Sequence, residues 1–181
     1  MLDGGYVREL LAQKPLSPGI EHQVGVLREE RRVIKDYDPR DLDEETWEVF
    51  YKPTDSVFDY LTDLMLSNHL FGDDLRLEGF YEEKNQPHVI ISQPFVDGIH
   101  PDWPALVEKL EERGLVHSKP GSTKGHFWVD AGPAGRLLVT DVHEENIIIN
   151  RNTGRAELID VHFSFGSRDS RIQALKALAL W

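Results

Sequence analysis

Short apolar runs alternate with polar clusters in the second half of the chain, and this alternation predicts β-structure. Residues 137–139 and 147–149 are too short for helices and are rich in β-branched side chains, as is typical of strands. A turn at 150–154 ends on a glycine and leads to another short run at 156–159. The pattern therefore predicts a strand, a polar loop and a hairpin. Three polar residues that suit metal and phosphate chemistry stand where these strands end: Asp141, Asn146 and Asp160.

The same alternation predicts further antiparallel hairpins earlier in the chain. Their strands are 20–27 with 31–37, 76–82 with 88–93, and 127–130 with 136–139. Polar residues, several of them turn formers, separate the two members of each pair. The last of these strands leads into Asp141.

Apolar residues at helical spacing predict helices elsewhere. The first predicted helices are residues 6–14 and a long stretch that begins at Thr54. A third helix, residues 103–113, follows Asp102, which caps it. A loop at 164–170 then precedes a short final helix. The long stretch carries one apolar stripe, which predicts its buried face: Val57, Leu61, Leu64 and Met65, widened by Phe58 and Leu66.

Composition narrows the possible functions. A chain of 181 residues with 40% hydrophobic residues can form one domain or two small lobes. Its net charge of −12 argues against nucleic acid as a partner, because binding to a phosphate backbone normally uses basic surfaces. The chain contains no cysteine, which excludes disulfides and thiol catalysis. It shows neither a signal peptide nor an apolar run of membrane length, so we expect a cytoplasmic protein that does not act at a membrane.

The order of the polar residues resembles that of protein-kinase-like enzymes. In those enzymes a catalytic Asp precedes an Asn by five positions, and a short hairpin then leads to a metal-binding Asp. Asp141, Asn146 and Asp160 follow this order, and Arg32-Val33-Ile34-Lys35 is similar to the kinase strand Val-Ala-Ile-Lys. Four motifs resemble most closely the truncated bacterial and phage-associated kinase-like domains of polyvalent proteins: Gly-x-Glu-His, Val-Ile-Lys, Ser-Gln-Pro-Phe and Asp-x-His-x-x-Asn.

This resemblance implies an α+β, minimal two-lobed kinase-like fold. Residues of about 15–93 would form an N-lobe with an antiparallel sheet and one packed helix. Residues of about 93–98 would be the hinge, and about 99–181 a reduced C-lobe. The segment after Asp160 is much shorter than in a full kinase, so a protein acceptor would need a surface other than the usual peptide-docking platform.

The resemblance also implies an ATP- and Mg²⁺-dependent phosphotransferase acting on an unknown protein or small molecule. Asp141 would orient the acceptor hydroxyl, Asn146 and Asp160 would hold Mg²⁺, and Lys35 would contact the α- and β-phosphates. The remaining nucleotide contacts would come from the hinge and the first strand: Gln93, Phe95 and Glu21.

Departures from the kinase pattern leave other functions open. The long helix has no Glu to pair with Lys35, so Asp59, Asp63 or Glu21 would replace it, and the glycine-rich loop is reduced to Gly19 and Gly25. These features favour a pseudokinase or nucleotide-binding interaction module without turnover.

A second alternative is a metal-dependent hydrolase that uses two Asp-Val-His motifs as ligand pairs. The pairs are Asp141 with His143 and Asp160 with His162. Each pair would lie on one face of a strand and bind Zn²⁺ or Mn²⁺.

Overall fold

The computed structural model describes residues 22–37, 57–83, 86–119 and 125–181. The predicted helix at 6–14, Gly19, Glu21 and the predicted start of the long helix at Thr54 lie outside these ranges. The chain divides into two compact units. The first comprises Met1–Asp59 and Asp74–Phe95, and the second comprises Tyr60–Asp73 and Val96–Trp181.

The first unit contains a four-stranded antiparallel sheet. Its strands are β1 (His22–Leu27), β2 (Arg32–Tyr37), β3 (Arg76–Glu83) and β4 (Gln86–Pro94), in the order β1-β2-β4-β3. Both hairpins predicted for this part of the chain are confirmed, because β1 pairs with β2 and β3 pairs with β4. The central strands β2 and β4 contain Val33, Ile34, Val89, Ile90 and Ile91, β-branched residues that pack well on a pleated surface.

The strand register assigns side chains to the two faces of this sheet. Ile34 lies opposite Ser92, and Lys35 lies opposite Ile91. Since successive residues alternate between faces, Ile34 and Lys35 are on opposite sides. The Ile34 side carries a small apolar cluster: Leu27, Ile34 and Ile90, with Tyr81 packed against them.

Two buried polar networks lie on the same face as Ile34. Arg32 donates from Nε to Ser92 Oγ at 2.8 Å and from Nη1 to Asp74 Oδ2 at 2.8 Å. Buried Asp36 accepts a hydrogen bond from the Tyr81 hydroxyl and lies 3.1 Å from His88 Nδ1. Buried charges need such partners because desolvation disfavours them, so these contacts let polar residues occupy the interior.

The second unit combines helices with two small antiparallel sheets. The helix α1 (Val57–Phe71) belongs to this unit from Tyr60 onward, together with α2 (Trp103–Glu112) and α3 (Arg168–Ala177). One sheet has the order β10-β9-β5 and the other the order β11-β8-β7-β6. Their strands are β5 (Gly98–Ile99), β6 (Val116–His117), β7 (Phe127–Asp130), β8 (Arg136–Thr140), β9 (Ile147–Asn150), β10 (Ala156–Leu158) and β11 (His162–Ser164).

These elements surround one apolar core. Its largest fully buried members come from both sheets and all three helices: Leu66, Leu106, Leu110, Leu115, Phe127, Ile147, Phe163 and Leu175. Burying one side chain of this size contributes about 1.5–3 kcal/mol. The predicted β7–β8 and β9–β10 hairpins are confirmed. So is the cap of α2, where Asp102 accepts a hydrogen bond from the Ala105 N–H at 3.0 Å. No helix in the described ranges has the length and apolar content needed to cross a membrane.

The predicted buried face of α1 is wrong except at Leu66, which is fully buried. Met65 is 37% exposed, and Val57, Leu61 and Leu64 are only half-buried. The buried face is a different one, and it includes three polar residues: Tyr60, Thr62, Asp63, Leu66, Ser67 and Phe71. Hydrophobic periodicity missed this face because its polar side chains are buried through hydrogen bonds rather than through apolar character.

The predicted loop at 164–170 is also wrong in part. Residues 162–164 form β11, which pairs with β8 so that His162 lies opposite Thr140. Helix α3 then begins behind Ser167, which forms a reciprocal capping box with Ser170. The strand is only three residues long, so it has too few positions for a periodic pattern to reveal it.

A buried carboxyl group follows the C-terminal end of α1. Asp73 Oδ2 accepts a hydrogen bond from Ser67 Oγ at 2.8 Å. Burial raises the pKa of Asp73 from 3.8 to about 6, although the Ser67 hydrogen bond and the charges of Arg113 and Arg155 act in the opposite direction. Ionisation of this group in the folded protein is therefore unfavourable.

We expect Asp73→Asn to stabilise the protein at pH 8 by about 1–3 kcal/mol. The folded-state pKa is raised, so the wild-type fold loses stability as the pH increases from 3.8 to about 6, while the neutral amide does not. The gain should shrink as the pH falls toward 4. Urea unfolding of both proteins across this range measures it.

Asp74→Asn is the matched control, with the opposite sign. Hydrogen bonds from Arg76 and Arg32 lower the pKa of Asp74. Its stabilising contribution is therefore present at neutral pH and is lost as the pH falls. A gain for Asp73→Asn that does not change with pH would contradict the assigned cause.

Candidate functional site

The loop between β8 and β9 holds Asp141 in an uncommon backbone conformation. Asp141 has φ +58°, a region that costs most L-residues about 1–2 kcal/mol but that Asp and Asn tolerate better. Its side chain is exposed at the start of the loop. Such a conformation persists only where its surroundings fix it, and three contacts of the loop do so.

The first contact comes from Asn146. Its Nδ2 donates to the Asp141 carbonyl oxygen at 2.9 Å and to Asp141 Oδ2 at 3.0 Å. This orientation of the carboxamide leaves Asn146 Oδ1 as its remaining acceptor. The two residues that the sequence places five positions apart are therefore joined directly, with one amide oxygen still able to bind a cation.

The second contact is a close approach between backbones. The Val142 N–H donates to the Gly125 carbonyl oxygen at 3.1 Å. A Cβ atom added to Gly125 would lie only 1.5 Å from the Val142 carbonyl oxygen. Only glycine fits here, so Gly125 fixes the backbone beside Asp141.

The third contact involves His100, which the sequence did not indicate. His100 Nδ1 lies 3.0 Å from the Glu144 carbonyl oxygen and 2.9 Å from that of Ile147. When Nδ1 carries the proton, it can donate to these carbonyls and support the short 3₁₀ turn at Glu144–Asn146. A lone His ahead of a helix gives no sequence signal of this role.

Asp160 is brought to the same loop by two backbone interactions. The Ile159 N–H donates to the Asn146 carbonyl oxygen at 2.9 Å. Two residues after Asp160, His162 pairs with Thr140, which directly precedes Asp141. The structure therefore assembles Asp141, Asn146 and Asp160 in one region of the second unit.

The donor set of this region fits a hard divalent cation. Carboxylate and amide oxygens are the ligands that Mg²⁺ prefers, and Mg²⁺ commonly binds one or two carboxylates while keeping several waters. Within the described part of the chain, no group of three or more His, Asp or Glu side chains is arranged to hold a metal ion. A magnesium site here would therefore need oxygens from waters or from a bound ligand as well.

The Asp-Val-His motifs do not have the strand geometry expected for the hydrolase ligand pairs. That hypothesis required both members of a pair to alternate within a strand. Instead, β8 ends at Thr140 and β11 begins at His162, so neither pair lies within a strand. His162 is buried, and its Nδ1 lies 3.3 Å from Asp63 Oδ2.

In the first unit, Lys35 and Gln93 lie on one face of the sheet. Lys35 is opposite Ile91, and Gln93 is opposite Val33. Lys35 and Gln93 are therefore diagonal neighbours on adjacent strands, and such residues are typically about 7–8 Å apart. Both side chains are buried. Gln93 is 6% exposed, and its Oε1 has no hydrogen-bond partner within the described residues.

Phe95 and Asp63 each make contacts that bear on their predicted roles. The Phe95 N–H donates to the Arg31 carbonyl oxygen at 2.8 Å, so this backbone donor is not free to pair with a base as a kinase hinge requires. Asp63, one of the suggested replacements for the helix Glu, instead has His162 and Arg171 as partners. Sequence order did not reveal either contact, because both depend on the tertiary fold.

We expect Gly125→Ala to destabilise the protein by about 1–3 kcal/mol, as overpacking in a tight region does. Gly166→Ala is the matched control, since a Cβ atom there has no neighbour within 4 Å. We expect it to change the free energy of unfolding by no more than about 0.5 kcal/mol. Urea denaturation measures both. Equal stability of the two variants would contradict the close contact at Val142.

Comparison with known proteins identifies a family that matches most of the chain. A family model described as "Serine/Threonine/Tyrosine Kinase found in polyvalent proteins" matches residues 6–166. A search of curated proteins found no match. The family match covers most of the chain and includes Lys35, Asp141, Asn146 and Asp160, so the chain belongs to the family of serine/threonine/tyrosine kinases found in polyvalent proteins.

Proposed function

We propose that this chain is a phosphotransferase that uses ATP and Mg²⁺. The observation that supports the proposal best is the assembly of Asp141, Asn146 and Asp160 through the Asn146–Asp141 hydrogen bonds and the Ile159–Asn146 backbone contact. Family membership supports a kinase-like activity in general. The acceptor would be a protein or a small molecule with a free hydroxyl group.

In the second unit, each polar side chain would take one role. Asp141 is exposed and would orient the acceptor hydroxyl and accept its proton. Asn146 Oδ1 and the Asp160 carboxylate would hold Mg²⁺. The ion, when bound, would neutralise charge on the phosphate oxygens. Catalysis would rest mainly on positioning and electrostatic stabilisation, as is general for phosphoryl transfer.

In the first unit, Lys35 would contact the α- and β-phosphates of ATP. Gln93 lies on the same sheet face as Lys35. Its Oε1, which has no hydrogen-bond partner among the described residues, would accept a hydrogen bond from the adenine amino group. Phe95 would contribute its carbonyl oxygen rather than its N–H, which Arg31 already binds. We propose that residues 1–181 form a single kinase-like domain.

A nucleotide-binding module without turnover is the second candidate. Two observations favour it, namely the occupied N–H of Phe95 and the engagement of Asp63 by His162 and Arg171. Nucleotide binding alone is common to both candidates. Phosphate transfer that depends on Asp141 therefore separates them.

We expect Asp160→Asn to weaken Mg²⁺-dependent ATP binding by about tenfold or more, since a metal–carboxylate contact contributes several kcal/mol. Titration calorimetry with and without Mg²⁺ measures this effect. Asp169→Asn, an exposed change in the first turn of α3, should leave the affinity unchanged. Wild-type protein that binds no ATP at millimolar concentration would refute the proposal.

We expect Asp141→Asn to retain ATP affinity within about twofold while losing phosphate transfer, because the carboxylate acts on the acceptor and not on the nucleotide. Asn also tolerates the positive φ of Asp141, so the loop should keep its conformation. Transfer of labelled phosphate to the chain itself or to offered acceptors is the measurement. ATP binding without any transfer by the wild type would favour the module without turnover.

We expect Gln93→Met to stabilise the ligand-free protein by about 1 kcal/mol, because it removes a buried acceptor that has no partner in the described part of the chain. The same change should weaken ATP binding by about two- to tenfold, the equivalent of one hydrogen bond. GTP binding should not weaken, since guanine presents an oxygen where adenine has its amino group. Thermal unfolding and calorimetry measure the two effects, and unchanged ATP affinity would rule out the contact.

A further inference from the structure

A buried ionic network in the second unit joins α1, β11 and α3. Asp63 is 3% exposed, His162 is 3% exposed and Arg171 is 5% exposed. Arg171 Nη1 donates to Asp63 Oδ1 at 2.5 Å, and Asp63 Oδ2 lies 3.3 Å from His162 Nδ1. Each carboxylate oxygen of Asp63 therefore has its own partner.

Arg171 also holds the residues that follow His162. Its Nη2 donates to the Phe163 carbonyl oxygen at 2.9 Å, and its guanidinium carbon lies 4.7 Å from the centre of the Phe165 ring. Nη1 makes a further hydrogen bond to Thr62 Oγ1 at 2.8 Å. The planar guanidinium thus ties two residues of α1 to the strand that follows Asp160, in a geometry that the single ammonium of lysine cannot reproduce.

A buried ionic network of this kind contributes more to the orientation of the groups around it than to the free energy of unfolding. Removing two charges from water costs several kcal/mol each, and apolar side chains of similar volume often stabilise a core equally well. Its contacts end on β11, whose first residue is two positions from Asp160 and pairs with Thr140 next to Asp141. The network therefore fixes the position of the backbone between Asp160 and the start of β11.

The helix that supplies Arg171 lies beyond the residues of the family match. The match ends at residue 166, whereas α3 spans Arg168–Ala177. The motifs that define the family thus do not include this contact. It is a feature of this chain that its tertiary structure reveals.

We infer that Arg171 is a positioning residue, which acts through Asp63 and His162 to orient Asp160 toward the divalent cation. This inference rests on the proposed function, because it assumes that Asp160 binds the metal. It adds that metal affinity depends on α3, an element outside the recognised motifs.

The test compares stability with metal affinity in four variants. They are Arg171→Met, Arg171→Lys, the double variant Asp63→Asn/Arg171→Met, and the control Lys176→Met on the exposed side of α3. Binding of Mn²⁺ in the presence of ATP is measured by electron paramagnetic resonance, and unfolding is followed by circular dichroism. Mn²⁺ serves as the probe because it accepts the same oxygen ligands as Mg²⁺.

We expect Arg171→Met to lose both stability and Mn²⁺ affinity, since it leaves Asp63 buried without its cation. The double variant removes both charges and should regain most of the stability. Its Mn²⁺ affinity should stay at least about tenfold below that of the wild type if positioning requires the network. Arg171→Lys keeps the charge and should remain folded, yet it should also bind Mn²⁺ more weakly.

The outcomes separate this inference from the proposed function. Wild-type affinity in the folded double variant or in Arg171→Lys would overturn the positioning role while leaving the metal site intact. Absence of Mn²⁺ binding by both the wild type and Lys176→Met would overturn the proposed function, and the positioning role with it. A weakened Lys176→Met would show that any change on α3 disturbs the metal site and would also overturn a specific role for Arg171.

Discussion

The pairing of β11 with β8 is the constraint on which the candidate site depends. It places His162 opposite Thr140, so that the chain leaves one strand toward Asp141 and enters its neighbour from Asp160. Two carboxylates far apart in sequence are thereby linked through a pair of adjacent strand ends. Backbone hydrogen bonds achieve this in a chain whose net charge of −12 offers no general attraction between acidic groups.

The sequence predicted the elements that have strong local patterns. The hairpins β1–β2, β3–β4, β7–β8 and β9–β10 and the cap of α2 follow from alternation, turn residues and Asp102. These features depend on neighbours in the chain, and such neighbours are visible in a linear pattern. The identities of Asp141, Asn146 and Asp160 came from their spacing and not from any geometric argument.

Features that depend on distant contacts could not be predicted in this way. The polar face of α1 is buried because Thr62 and Asp63 have a partner in Arg171, more than 100 positions away, and no local pattern encodes that partner. His100 supports the loop between β8 and β9 by contacting two backbone carbonyl oxygens. Every residue has such an oxygen, so the sequence gives no sign of the contact. The close approach at Gly125 likewise depends on a backbone that lies 17 positions further along the chain, at Val142.

The location of Arg171 has a practical consequence for choosing the boundaries of a recombinant fragment. A fragment trimmed to the family match would end at residue 166 and would omit the guanidinium that faces Asp63. Loss of this guanidinium would leave the buried Asp63 carboxylate without its cationic partner. Such a defect commonly lowers the free energy of unfolding by about 3–5 kcal/mol. Such a fragment would contain every recognised motif and still be prone to misfolding and aggregation, so an inactive preparation of it would say little about the chemistry of the intact chain.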